Sequence, residues 1–125
     1  SKVEPVSERT PIFRNIHLSN VTGNDIKRIG YIKGIEEMPI SELSFSNMNI
    51  VAGKGFQAET ATDIRFNNVS FTVEEGPSLN IRQCKDIFLN DVRTKQPIAG
   101  QPVVDLEAIE NLSIIHCDST QIVRK

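Results

Sequence analysis

One seven-residue pattern recurs five times along this chain, and a chain built from copies of a short unit is confined to a repeat architecture. The copies are Asn15-Ile16-His17-Leu18-Ser19-Asn20-Val21, Glu42-Leu43-Ser44-Phe45-Ser46-Asn47-Met48, Asp63-Ile64-Arg65-Phe66-Asn67-Asn68-Val69, Asp86-Ile87-Phe88-Leu89-Asn90-Asp91-Val92 and, more loosely, Asn111-Leu112-Ser113-Ile114-Ile115-His116-Cys117. The sixth position reads Asn20, Asn47, Asn68, Asp91 and His116, at steps of 27, 21, 23 and 25 residues. Within the units apolar and polar residues alternate (Ile16 and Leu18, Leu43 and Phe45, Ile64 and Phe66, Ile87 and Leu89), the period of a strand with one buried face. A second alternating strand is read at Ile32 and Gly34, Phe56 and Ala58, Leu79 and Ile81, and Val104 and Leu106. The offset is eight residues from Phe56 to Ile64, from Leu79 to Ile87 and from Val104 to Leu112, so the two strands keep register.

A unit of this length also suits a leucine-rich repeat, which needs a Leu-dominated strand followed by a helical or 3-10 return. Here Ile outnumbers Leu sixteen to six, and the intervening segments carry β-branched residues, Gly and Pro. The predicted fold is therefore all-β: a parallel β-helix, a single-stranded solenoid of about four to five coils. It forms one domain over residues 1–125, with residues 1–10 as loop or linker. The recurrent Asn is expected to turn inward at a tight corner, bonding the backbone there and its counterpart in the next coil. Asn20-Val21-Thr22, Asn68-Val69-Ser70 and Asn111-Leu112-Ser113 also match the N-glycosylation sequon, but the ladder is expected to bury the first two. A single coil buries too few side chains to offset the backbone entropy of its own residues, so stability has to come from stacking. An open end of the stack then needs a cap or a partner, and the N-terminal end is a candidate for self-association.

Composition excludes several partners. Net charge is -2, from 14 basic and 16 acidic residues that are interspersed, so no basic stripe offers itself to nucleic acid. No stretch approaches the ~18 apolar residues that cross a bilayer. Neither nucleic acid nor a membrane is expected as a partner. Cys84 and Cys117 lack any CxxC or Cys/His spacing and are expected in the core as small hydrophobes. The polar opening, Ser1 to Pro11, reads as part of a longer protein.

The segment Gly34-Ile35-Glu36-Glu37-Met38-Pro39-Ile40-Ser41-Glu42-Leu43-Ser44-Phe45-Ser46-Asn47-Met48 resembles a signature of the polygalacturonase-like glycoside hydrolases, family 28. In that signature a Gly-x-x-Glu-x-Pro-Ile run leads into an Asn-Ile-x-Phe-x-Asn-Val strand. Pro11-Ile12-Phe13-Arg14-Asn15-Ile16 and Gly76-Pro77 also look familial, and the resemblance covers roughly Thr10 to Val92. It implies a right-handed parallel β-helix and a parent glycosidase that hydrolyses galacturonosyl linkages in pectic polysaccharide or oligogalacturonide. It also implies secretion to an extracellular or periplasmic site, because such a polymer is too large to enter a cell. The family's catalytic motifs precede the region matched here, and the chain contains no Asp-Asp, Gly-His-Gly, Asn-Thr-Asp or Arg-Ile-Lys. The resemblance therefore implies the C-terminal part of such an enzyme, with catalytic aspartates upstream, and no catalytic residue is assigned. This segment alone is expected to be inactive.

Inverting glycoside hydrolysis needs two carboxyl groups roughly 6.5 to 9.5 Å apart. Glu59, Asp105 and Glu107 lie on the second strand, but with Arg82 among them they read as a charge-paired face. Binding fits this strand better. If Leu79 and Ile81 point inward, Asn80 and Arg82 point outward, and so do Lys33, Gln57 and Glu59. Lys33 and Arg82 would pair with uronate carboxylates, and Glu37 joins the set through its motif. His17 and His116 read as structural. No metal or cofactor is expected, since a calcium site would require clustered Asp. The alternative is a non-catalytic carbohydrate-binding or purely structural β-helix.

Overall fold

The computed structural model describes residues 14–125. The loop or linker expected over residues 1–10, and Pro11 to Phe13 of the family resemblance, lie outside the described residues. Eight strands follow in chain order: β1 (Ile16–Lys33), β2 (Ser41–Glu59), β3 (Thr62–Val73), β4 (Leu79–Arg82), β5 (Lys85–Arg93), β6 (Val104–Glu107), β7 (Glu110–Ile115) and β8 (Ile122–Arg124). A 3-10 turn, Ser119–Gln121, precedes the last, and no other helix occurs among the described residues, so none is long and apolar enough to cross a membrane. Every strand pairing is parallel. Ile16, Leu43, Ile64, Ile87 and Leu112 are successive partners along one face, and Phe56, Leu79, Val104 and Ile122 along another. The chain is thus a parallel β-solenoid of about four turns, as the repeat predicts.

The second and third coils have three faces where the sequence suggested two strands. The first face carries residues 16–19, 43–46, 64–67, 87–90 and 112–115, and the last carries 30–33, 56–59, 79–82, 104–107 and 122–124. Between them runs a middle face, over 48–52 and 69–73. Its members Val69, Ser70, Phe71, Thr72 and Val73 are all buried. The segment covering them is 94–103: the Lys95 amide donates to Thr72 Oγ1 at 3.1 Å, and Val103 is itself buried. Over 69–73, buried on both sides, polar alternation is lost, whereas over 48–52 buried and exposed residues still alternate.

Corners are made by single left-handed residues. Asn15, Glu42, Asp63, Asp86 and Asn111 before the first face, and Asn20, Asn47, Asn68, Asp91 and His116 after it, all have φ between 54° and 61°. Asn and Asp tolerate this region best among residues with a Cβ, which explains their recurrence. A ladder does form: Asn47 Nδ2 donates to Asn20 Oδ1 at 3.3 Å, and Asn68 Nδ2 to Asn47 Oδ1 at 2.9 Å. It runs along the outside, against the expectation of an inward ladder. The left-handed residue breaks strand alternation by one, so Val21, Met48 and Val69 take the interior and Asn20, Asn47 and Asn68 stay exposed. The Asn residues of the two sequons on the ladder are accordingly exposed, although Val69 and Ser70 of the second are buried. At the fourth corner Arg93 takes over, donating to Asn68 Oδ1 at 3.0 Å and pairing with Asp91 at 3.2 Å. His116 Nδ1 instead meets Asn90 Oδ1 at 2.9 Å, and His17 meets the Ser44 hydroxyl, so both histidines have structural partners.

Inside, Phe45, Phe56 and Phe66 form one aromatic cluster, with ring centroids 4.9 to 5.8 Å apart. Ile64, Leu79, Ile81, Leu89 and Leu106 are fully buried around it. Cys84 belongs to this core as expected, while Cys117, in the last coil, is only half-buried.

The first coil departs from the predicted second strand. Gly30 and Ile32, not Ile32 and Gly34, pair with Phe56 and Ala58. Gly34 lies at the following corner, where a Cβ would come within 2.1 Å of the Thr60 carbonyl oxygen, so no larger residue fits. The Glu-x-Pro-Ile element is an enlarged corner over 34–40, closed by paired backbone bonds between Ile35 and Met38 at 3.0 and 3.3 Å.

Candidate functional site

The last face presents two outward columns. One is Tyr31, Gln57, Asn80 and Asp105; the other is Lys33, Glu59, Arg82 and Glu107. Parallel stacking sets neighbours about 4.8 Å apart, so the second column alternates in charge at a spacing where each residue sees the next. Lys33 Nζ lies 3.1 Å from Glu59 Oε2, and this carboxylate raises the Lys33 ammonium above its ordinary value. Arg82 Nε donates to Asn80 Oδ1 at 3.4 Å, and Asp105 pairs with Lys125 at 3.9 Å. Five of the six expected binding residues, Lys33, Gln57, Glu59, Asn80 and Arg82, therefore share a face. Glu37 does not. It sits exposed in the turn of the enlarged corner, because the coil leaves the last face at Gly34.

The concave part of this face lies at its N-terminal edge. Gln57 and Asn80 line a groove of about 450 Å³ together with Arg28, Lys54, Glu75 and Gln101. Four segments of successive coils contribute, and glycine makes their approach possible: at Gly55 a Cβ would stand 2.2 Å from the Ser78 carbonyl oxygen. Arg28 and Lys54 are partners in register, so two cations stand side by side on one wall. Lys54 Nζ is 3.5 Å from Glu75 Oε1, but both side chains are more than half exposed and the pair contributes little. No carboxylate comes within ion-pair distance of Arg28 among the described residues. The groove thus offers a planar guanidinium, an ammonium and three amides, with the Glu75 carboxylate beside Lys54, and its donors match a carboxylate flanked by hydroxyl groups.

Sequence reading missed Arg28 and Lys54, which lie within β1 and β2 between the middle and last faces, and Glu75 and Gln101, which lie in the connections from β3 to β4 and from β5 to β6, where no period exists. The only local signal was Gly53-Lys54-Gly55, a basic residue between two glycines. Among the described residues no three His, Cys, Asp or Glu side chains are grouped closely enough to hold a metal ion. No family model, curated protein or solved structure matches this chain.

Proposed function

We propose that these coils bind an acidic polysaccharide of the pectic type along the last face, as the C-terminal part of a polygalacturonase-like glycoside hydrolase whose catalytic aspartates lie upstream. The observation that carries this reading is the in-register pair Arg28 and Lys54 beside Gln57 and Asn80. Uronate residues present a carboxylate and a rim of hydroxyls, and the groove supplies donors for both. The resemblance of residues 34–48 to the family 28 signature points to the same substrate class, and the substrate places the protein outside the cytoplasm, in the extracellular space or periplasm. A second reading, a carbohydrate-binding solenoid with no hydrolytic parent, is favoured by the pairing of Glu59 with Lys33 and of Asp105 with Lys125, which leaves this face without a free carboxylate pair.

Calorimetric titration of the chain with oligogalacturonide tests the binding claim. Binding is expected to weaken with added salt and to be lost in the Arg28→Ala, Lys54→Ala double variant. Absence of binding, or binding indifferent to that variant, overturns it. Reducing-sugar release from polygalacturonic acid separates the two readings: this chain alone is expected to be inactive, and a longer parent carrying upstream coils active.

A further inference from the structure

Phe45, Phe56, Phe66 and Phe71 are buried, whereas Phe88 is turned outward on the first face and half-buried. Its column reads His17, Ser44, Arg65, Phe88 and Ser113, so a large apolar ring stands where the adjacent coils carry a charged and a small residue. An outward aromatic ring forgoes the gain of burial unless something covers it.

The surroundings of this ring are specific. The left-handed corner residues Asp63, Asp86 and Asn111 form a second column beside Arg65, Phe88 and Ser113, and these six residues line a hollow of about 210 Å³. Arg65 Nε is held 3.2 Å from Asp63 Oδ1, and Asn111 Nδ2 donates to Asp86 Oδ1 at 2.6 Å. Each carboxylate therefore has one oxygen fixed by a neighbour and the other available as an acceptor. The hollow is an apolar plate edged by two carboxylates, a guanidinium and a hydroxyl.

We infer that this hollow is a site for a neutral pyranose, distinct from the groove on the last face. A pyranose has a face of C–H groups, suited to the negative face of an aromatic ring, and a perimeter of hydroxyls that donate to carboxylates and accept from arginine. The charge of the lining decides the class of sugar. Asp63 and Asp86 against Arg65 leave the hollow net negative, so a uronate meets like-charge repulsion that a neutral sugar does not. The last-face groove, with Arg28 and Lys54, has the opposite preference.

Galactose and galacturonate differ only at C6, a hydroxymethyl group against a carboxylate, and make the test direct. In amide chemical-shift titrations of the labelled chain, galactose is expected to shift residues 63–65, 86–88 and 111–113. Galacturonate is expected to shift them at least about tenfold more weakly, the ratio that ~1.4 kcal/mol of repulsion gives. Phe88→Ser, which copies Ser44 and Ser113 of the same column, should keep the dispersed spectrum and lose the response, while Phe88→Tyr should retain it. The proposal is overturned if galactose leaves these amides unmoved, if galacturonate binds there equally well, or if Phe88→Ser responds like the parent chain. Such a failure would not touch the last-face reading, whose amides at residues 28, 54, 57 and 80 report separately.

Discussion

The first and third coils carry the same pattern, yet equivalent residues live in different environments. Ile16 and Leu18 are 38% and 44% exposed, whereas their counterparts Ile64 and Phe66 are fully buried. The third coil has strands against both of its edges, while among the described residues β1 pairs only with β2. Burial in this molecule is therefore conferred by the neighbouring coils rather than by the residue, and stability is a property of adjacency.

That comparison is open to direct attack. The largest contrast is expected between Phe66→Ala and Leu18→Ala in urea denaturation. The first should cost about 3–5 kcal/mol through a cavity in the aromatic cluster, and the second under about 1.5 kcal/mol, because its side chain is already half in water. Equal losses would show that the first coil is covered as well as the third. A smaller difference separates two glycines. Gly55→Ala places a methyl 2.2 Å from the Ser78 carbonyl oxygen and should cost about 1–3 kcal/mol. Gly23→Ala in the first coil meets only the flexible tip of Ile26, at 2.9 Å, and its thermal midpoint should barely move.

The outward ladder offers a finer test. Asn47 both donates and accepts along the stack, whereas Asn20 accepts only, so Asn47→Ala should exceed Asn20→Ala by the worth of one hydrogen bond, about 0.5–1.5 kcal/mol. Asn47→Gly keeps the left-handed corner unstrained and isolates the ladder contribution. The smallest effect concerns the thiols. Burial pushes the Cys84 thiol up, against the backbone groups of Ala61, Thr60 and Arg82 that favour the thiolate. Alkylation in the native state should therefore label Cys117 first, since the thiolate is the reactive form. The same shift fixes the sign of its pH dependence: the folded chain keeps Cys84 protonated where the unfolded chain ionises. Its contribution is complete below the ordinary thiol range and is lost as pH rises through the raised value. Equal labelling of both cysteines would mean that the central coil opens as readily as the last one.

The two outward surfaces differ as instructively as the two coils. On the last face the charges alternate along a column and cancel in pairs such as Lys33 with Glu59. On the first face Asp63 and Asp86 gather around a single aromatic ring. The first arrangement was legible from alternation alone, because outward residues on one strand follow a period of two. The second was not, since Asp86, within β5, has a left-handed backbone that breaks the alternation placing it relative to Phe88.

The sequence by itself determined the repeat, the parallel stack and most of the interior, because strand alternation and unit spacing are local quantities that the chain spells out. It also determined which of Lys33, Gln57, Glu59, Asn80 and Arg82 face outward. Only the tertiary structure decided that the Asn ladder lies outside, that Glu37 leaves the face, and that Arg28, Lys54, Glu75 and Gln101 converge. Each has its own physical reason. A single left-handed residue shifts alternation by one, an enlarged corner carries its residues off the face, and connections without a period are positioned solely by the coils they join.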